Sequence, residues 1–87
     1  MEVEFTDEAL EHLKYFKKLN NPLLLKKIRQ LIESIIQTPY TGIGKPEALK
    51  YNYTGFWSRR INQEHRLVYK ISENKTSIII YSLKGHY

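Results

Sequence analysis

The hydrophobic pattern of this chain changes its period once, near Ala48, and this change constrains the fold more than any other feature. Before it, apolar residues recur every three to four positions in two stretches, as on amphipathic helices. After it, the segments FWSRRI, RLVYKI and SIIIYSL have the β-branched and aromatic composition of strands, with NQEH and SENKT as the turns between them. The pattern predicts an α+β fold with a two-helix hairpin packed on one face of an antiparallel β-sheet.

The first half predicts a short strand and then the two helices. MEVEF alternates polar and apolar residues, as an N-terminal strand does. Thr6 is a candidate N-cap for a helix over about residues 7–19, and a second helix is expected over about residues 22–37. Thr38-Pro39 ends the second helix, because the residue before proline avoids the α region. The 87 residues fit one domain, 1–87.

The charge of the chain is uneven. Lys and Arg number 14 against 9 Asp and Glu, a formal net charge of +5, and most of the acids lie in the first eleven residues. The basic remainder favours a polyanionic partner, either nucleic acid or an acidic protein, although solubility alone is the plainer explanation. There is no cysteine, which excludes disulfides, a thiolate nucleophile and a Cys-rich zinc site. With no signal peptide and no membrane-length apolar run, we expect a cytoplasmic protein without a membrane partner.

Candidate reactive groups gather in the second half of the chain. One carboxylate, several guanidinium groups, a late imidazole and several phenols can together cleave RNA through its own 2′-hydroxyl. That reaction needs a general base, a general acid and a fixed cation, but no metal. The three histidines are scattered and no carboxylates stand at ligand spacing, so we expect no metal site and no cofactor. The candidates are Lys45, Glu47, Lys50, Arg59, Arg60, Arg66, His86 and Tyr87.

Each candidate also has a plainer interpretation. Glu47 in a polar loop is most often a solvated charge. Arg59 and Arg60 are neighbours on a predicted strand, so at most one of them faces a site, and the other lies along the helices or binds an acidic partner. The plainer interpretation of His65 is a turn residue, and that of His12 is an exposed helix residue. From spacing alone, RNA cleavage is a coherent hypothesis, and a basic RNA-binding module without catalysis remains open.

Three motifs are more specific. GKPE, GFWSRRI and EHRLVY follow one another in this order, and the sequence ends on HY. With them, residues 38–70 closely resemble the YoeB toxins, the Txe/YoeB branch of the RelE/ParE toxin superfamily. The resemblance implies a RelE/ParE-like, microbial RNase-like fold and the toxin of a bacterial type II toxin–antitoxin system. It implies a ribosome-dependent mRNA interferase that cuts mRNA in the A site, leaving a 2′,3′-cyclic phosphate and a 5′-hydroxyl.

The resemblance also implies roles for individual residues. Glu47 of GKPE matches the general base, and Arg66 of EHRLVY matches the arginine that stabilises the phosphoryl charge. His86 matches the general acid, and Tyr87 matches the tyrosine that helps to position the nucleotide. The basic residues that we group with them as candidate RNA-binding positions are Lys45, Lys50, Arg59 and Arg60.

The expected partners follow from the same resemblance. They are the ribosome and its mRNA, and a cognate YefM-like antitoxin whose acidic C-terminal part is disordered until it folds over the toxin. A toxin homodimer is also implied. The alternative within the superfamily is a non-catalytic toxin, which has no need of Glu47, Arg66 and His86 together.

Overall fold

A computed structural model of the chain describes residues 1–85. Strand β1 (Glu2–Phe5) is followed by helix α1 (Asp7–Lys18) and helix α2 (Pro22–Gln37). The later strands are β2 (Glu47–Ala48), β3 (Trp57–Arg60), β4 (Arg66–Ile71) and β5 (Ser77–Ser82), with a 3-10 turn at Tyr51–Tyr53 between β2 and β3. In the part of the chain that the structure describes, no helix is long and apolar enough to cross a membrane.

The predicted α+β class is confirmed, with one change to the sheet. Within residues 1–85 the strands form a five-stranded sheet in the order β1-β5-β4-β3-β2. β2 to β5 form the expected antiparallel meander, whereas β1 pairs parallel with β5, so that Val3 lies opposite Ile78. The sheet is therefore mixed, because β1 lies at the outer edge of β5 and runs parallel to it.

Side-chain caps fix the helix starts. The hydroxyl of Thr6 accepts a hydrogen bond from Ala9 N at 3.1 Å, as predicted for the α1 N-cap. The side chain of Asn21 caps α2 in the same way through Leu24 N, and Pro22 occupies the first helical position. The observed helices agree with the predicted ones to within one residue.

The core lies between the helices and one face of the sheet. It is built from the apolar stripes that the helical periodicity predicted, together with alternate residues of the central strands. The fully buried side chains include Phe16 of α1, Leu31 and Ile35 of α2, Leu67 of β4 and Ile80 of β5. The opposite face of the central strands carries polar residues.

Candidate active site

The strand register brings three predicted site residues to the sheet face that points away from the helices. Glu47 lies opposite Ser58 across β2 and β3, and Arg60 lies opposite Arg66 across β3 and β4. Directly paired residues share a face, and so do residues two apart on one strand, such as Ser58 and Arg60. Glu47, Arg60 and Arg66 therefore share one face.

The spacing of these residues suits a phosphodiester. β3 lies between β2 and β4, and Arg66 is two residues along β4 from Val68, which is level with Ser58 and Glu47; the backbones that carry Glu47 and Arg66 are therefore about 12 Å apart. Ser58 lies on the strand between them, and its small side chain is 5% exposed. A carboxylate and guanidinium groups thus flank a shallow polar floor on which an RNA backbone can rest.

A cavity of about 500 Å³ lies beside Arg60 and Arg66, between α2, the loop before β2 and the β3–β4 turn. Every ionisable residue among its described lining residues is basic: Lys27, Lys45, Arg60 and Arg66. The guanidinium of Arg66 also donates a long hydrogen bond to Asn62 O at 3.4 Å. Four cations without a carboxylate among them make this cavity attractive to a polyanion.

Lys27 is the lining residue that sequence reasoning missed. It lies on α2 and is half-buried, whereas the neighbouring Lys26 is exposed. The loop after α2 folds back at Gly44, where an added Cβ would lie 2.6 Å from Leu31 Cδ2, and this brings Lys45 to the same cavity. The sequence signal was the glycine of GKPE, since Gly44 has φ +84°.

Glu47 and Lys50 line a second hollow, of about 450 Å³, formed by residues 47–53. Tyr51 in this hollow is 90% exposed, and an exposed phenol ring is a surface on which an unpaired base stacks. The structure therefore divides the predicted residues. Lys45, Arg60 and Arg66 line the cationic cavity, whereas Glu47 and Lys50 line the hollow beside the exposed ring.

The prediction that Arg59 binds RNA is wrong, because its side chain points away from the candidate site. Its side chain is fully buried between the sheet and the end of α2. Its Nη atoms donate to Ser34 Oγ, Ile43 O, Thr38 O and Thr41 O at 2.8–3.1 Å. Its Nε donates to the Tyr69 hydroxyl at 3.2 Å. Because β3 turns Arg60 outward, its neighbour must point inward, where it holds the loop that leads to Glu47.

The chain after β5 is held beside Arg66. Arg66 N donates to Gly85 O at 2.7 Å, and Gly85 N donates to the imidazole Nδ1 of His65 at 2.9 Å. His65 is a buried turn residue, in keeping with its expected place in the turn. His12 was expected to be exposed, but it is half-buried and accepts a hydrogen bond from Leu83 N at 3.1 Å. The predicted residues His86 and Tyr87 lie outside the described residues.

Burial shifts two ionisation equilibria near these contacts. It lowers the pKa of His12, and the carboxylate of Glu8 opposes that shift. Burial also raises the pKa of the Tyr69 phenol, an effect that the hydrogen bond from Arg59 opposes. The His12 imidazole therefore tends to stay neutral, which is the form that accepts the Leu83 hydrogen bond.

Comparison with known proteins places the chain among toxins. The sequence profile of the YoeB-like toxin of bacterial type II toxin–antitoxin systems matches residues 5–87. Toxin YoeB of Synechocystis sp. is 46% identical over 87 residues, which is 100% of this chain and 98% of that protein.

Two solved structures from Staphylococcus aureus agree with this assignment. The YoeB dimer has a TM-score of 0.90 and 46% identity, and it covers 100% of this chain and 98% of its own. The toxin in the heterotetrameric YoeB–YefM toxin–antitoxin complex has a TM-score of 0.87 and 48% identity, with the same coverage.

Proposed function

The chain belongs to the YoeB-like toxins of bacterial type II toxin–antitoxin systems, and on this premise we propose that it is an endoribonuclease that cuts mRNA in the ribosomal A site without a metal ion. The observation that carries the proposal is the common sheet face of Glu47, Arg60 and Arg66. A carboxylate and two guanidinium groups on one face supply a base and fixed cations, which are two of the three parts that the reaction needs.

Glu47 is the general base in this mechanism. Its carboxylate is exposed at the sheet edge, where it can meet a ribose 2′-hydroxyl. It takes the 2′-OH proton while the 2′ oxygen forms a bond to phosphorus. The bond from phosphorus to the 5′ oxygen breaks, and the products are a 2′,3′-cyclic phosphate and a 5′-hydroxyl.

The arginines stabilise the negative charge that builds on the phosphoryl oxygens. A guanidinium group presents paired N–H donors that match two such oxygens, and it stays protonated throughout. Arg66 and Arg60 come from adjacent strands and are directly paired, so their positions are fixed by the sheet. Lys45 and Lys27 of the cationic cavity bind the phosphates next to the scissile one, and Lys50 lies beside the base.

His86 is the general acid, and Tyr87 positions the nucleotide. Protonated His86 gives its proton to the departing 5′ oxygen, so that the proton taken by Glu47 is balanced. The contacts of Gly85 support this role, because the residue directly before His86 is bonded to the backbone of Arg66 and to His65.

The partners proposed here are the ribosome with its mRNA and a YefM-like antitoxin, all in the bacterial cytoplasm. YoeB of S. aureus, which has the same fold, forms a complex with YefM, and a dimer of that YoeB has also been solved. The cationic cavity supports an acidic antitoxin segment that is disordered until it binds, since such a segment would cover Arg60 and Arg66. We propose a homodimer in the free state.

The proposal is tested by mapping new RNA ends on programmed ribosomes. Purified chain is added to translation complexes of known register, and primer extension locates the ends. We expect them within or beside the A-site codon, with Glu47→Gln slowing cleavage by roughly 10²-fold or more. Glu73→Gln is the matched control, because Glu73 is an exposed carboxylate in the β4–β5 turn. Ribosome binding without new ends would contradict the proposal and favour a non-catalytic binder.

A further inference from the structure

Two histidine rings hold the backbone of the segment that follows β5. Leu83 N donates to Nδ1 of His12 at 3.1 Å, and Gly85 N donates to Nδ1 of His65 at 2.9 Å. The acceptors come from distant parts of the chain, since His12 lies on α1 and His65 lies in the turn before β4. The amides of Leu83 and Gly85, two residues apart in one short segment, therefore bond to imidazoles from two elements.

Further contacts fix the same segment, residues 83–85. Arg66 N donates to Gly85 O at 2.7 Å, so Gly85 is bonded through both its amide and its carbonyl. The ammonium of Lys84 lies 4.1 Å from the centre of the Tyr15 ring, which attaches the segment to α1 a second time. The residue before His86 is thus tied to the residue that is proposed to bind the phosphoryl group.

The two imidazole contacts require one protonation state. An imidazole nitrogen accepts a hydrogen bond only when it carries no proton, so each ring must be neutral with its proton on Nε2. Protonation at Nδ1 would set an N–H donor against an amide donor. The His65 ring is 8% exposed and packs edge-on against Phe16, with 5.0 Å between ring centroids, so it has little room to turn away.

We propose that His12 and His65 are positioning residues for the cleavage reaction, whose neutral imidazoles hold residues 83–85 and so set where the His86 side chain meets the leaving oxygen. The inference rests on the proposed function, because it takes His86 as the acid. It assigns opposite protonation states to the histidines of one site. His86 must carry a proton to act as the acid, whereas the two rings that hold residues 83–85 must not.

Charged groups lie near both rings. His12 faces Glu8 on its own helix, Lys84 on the held segment, and His65. Burial is the largest influence on the pKa of His12 and lowers it, Glu8 raises it, and Lys84 and His65 lower it further. The carboxylate of Glu64 lies 3.7 Å from Nε2 of His65, on the side opposite the Gly85 contact.

Conservative substitutions separate positioning from folding. In His65→Asn and His12→Asn, the amide oxygen takes the place of Nδ1 as an acceptor that cannot be protonated. His65→Leu and His12→Leu keep apolar volume and remove the acceptor. We expect the Leu variants to lower kcat on programmed ribosomes on the order of 10- to 100-fold with KM unchanged, because the acid is misplaced and RNA binding is not. The Asn variants should recover most of the rate.

The pH profile is the readout that a purely structural role would not move. Single-turnover cleavage is measured from about pH 5 to about pH 8, which extends below the ordinary histidine range. Wild-type activity should fall on the acidic side as His12 protonates, and His12→Asn should keep activity there. Activity of the Leu variants equal to wild type, or an acidic side unchanged in His12→Asn, would overturn the proposal.

Amide exchange tests the same contacts without any cleavage. In wild-type protein, NMR should show that exchange of the Leu83 and Gly85 amides is slow at neutral pH, and it should be faster in the matching Leu variant. Equal protection in wild type and both Leu variants would overturn the inference. Absence of cleavage by wild type would overturn the proposed function instead, and the exchange result would still be readable. If His65→Leu does not fold, the half-buried His12 and the Asn variants carry the test.

Discussion

The same substitution at two neighbouring arginines should affect different properties: Arg59→Met should lower stability, whereas Arg60→Met should lower RNA cleavage. In Arg59→Met a long apolar side chain replaces a buried guanidinium group that makes five hydrogen bonds. Three of its acceptors are the backbone carbonyls of Thr38, Thr41 and Ile43, and a hydrogen bond to a charged group contributes about 1.5–3 kcal/mol. Because water can reach part of this loop, we expect a total loss near the lower end of the sum of these bonds, about 3–5 kcal/mol.

That loss is large for a chain of this size, whose whole free energy of unfolding is roughly 5–10 kcal/mol. Arg59→Met should lower Tm by at least about 12 °C, at about 4 °C or more for each kcal/mol. Thermal denaturation followed by circular dichroism measures the shift, and urea denaturation gives the free energy directly.

Arg60→Met is the matched control. Arg60 is exposed on the opposite face, so its substitution should change the free energy of unfolding by less than about 0.5 kcal/mol and should lower RNA cleavage. The reasoning would be refuted if Arg59→Met were as stable as wild type, or if both variants lost the same stability.

Three further predictions concern the cavity, the loop and the acid range. Lys27→Met should weaken ribosome binding and reduce its salt slope by about one, whereas Lys26→Met, at an exposed neighbouring position, should not; binding measured across a salt series decides this. Gly44→Ala should cost about 1–3 kcal/mol in urea denaturation, because its φ is positive and its Cβ would meet Leu31 of α2. The cost should exceed that of Gly55→Ala, where φ is also positive but the Cβ would meet only Lys70 Cε at 3.9 Å. The folded-state pKa of His12 lies below its ordinary value of 6.5. Its contribution to stability should therefore be full above about pH 6.5 and should be lost as the pH falls through the lowered pKa. Urea denaturation of wild type and His12→Asn at several pH values checks this.

Local signals were enough to predict the helices. The Thr6 hydroxyl and the Pro22 ring act within a few residues of where they stand, so the helix starts can be read from the sequence. Alternation along a strand likewise predicted that only one of Arg59 and Arg60 could face a site. Which of them does so depends on how β3 is phased against the helices, and that is a property of the whole sheet.

The features that sequence analysis missed depend on distant contacts. β1 pairs with β5 from the other end of the chain, and nothing within MEVEF specifies that partner. His12 receives its hydrogen bond from an amide 71 residues away, and Lys27 meets Lys45 only because the loop folds back at Gly44. Such contacts are formed by the assembled fold, and no short window of sequence contains them.

The central claim is that the RNA's own 2′-hydroxyl is the nucleophile and that Glu47 removes its proton. The most direct test compares two mRNAs on programmed ribosomes, one all-RNA and one with a single 2′-deoxynucleotide on the 5′ side of the mapped cleavage position. The account predicts that the all-RNA message is cut to a 2′,3′-cyclic phosphate end and that the deoxy message stays intact at that bond. Equal cutting of both messages would contradict it, because water would then have to be the nucleophile.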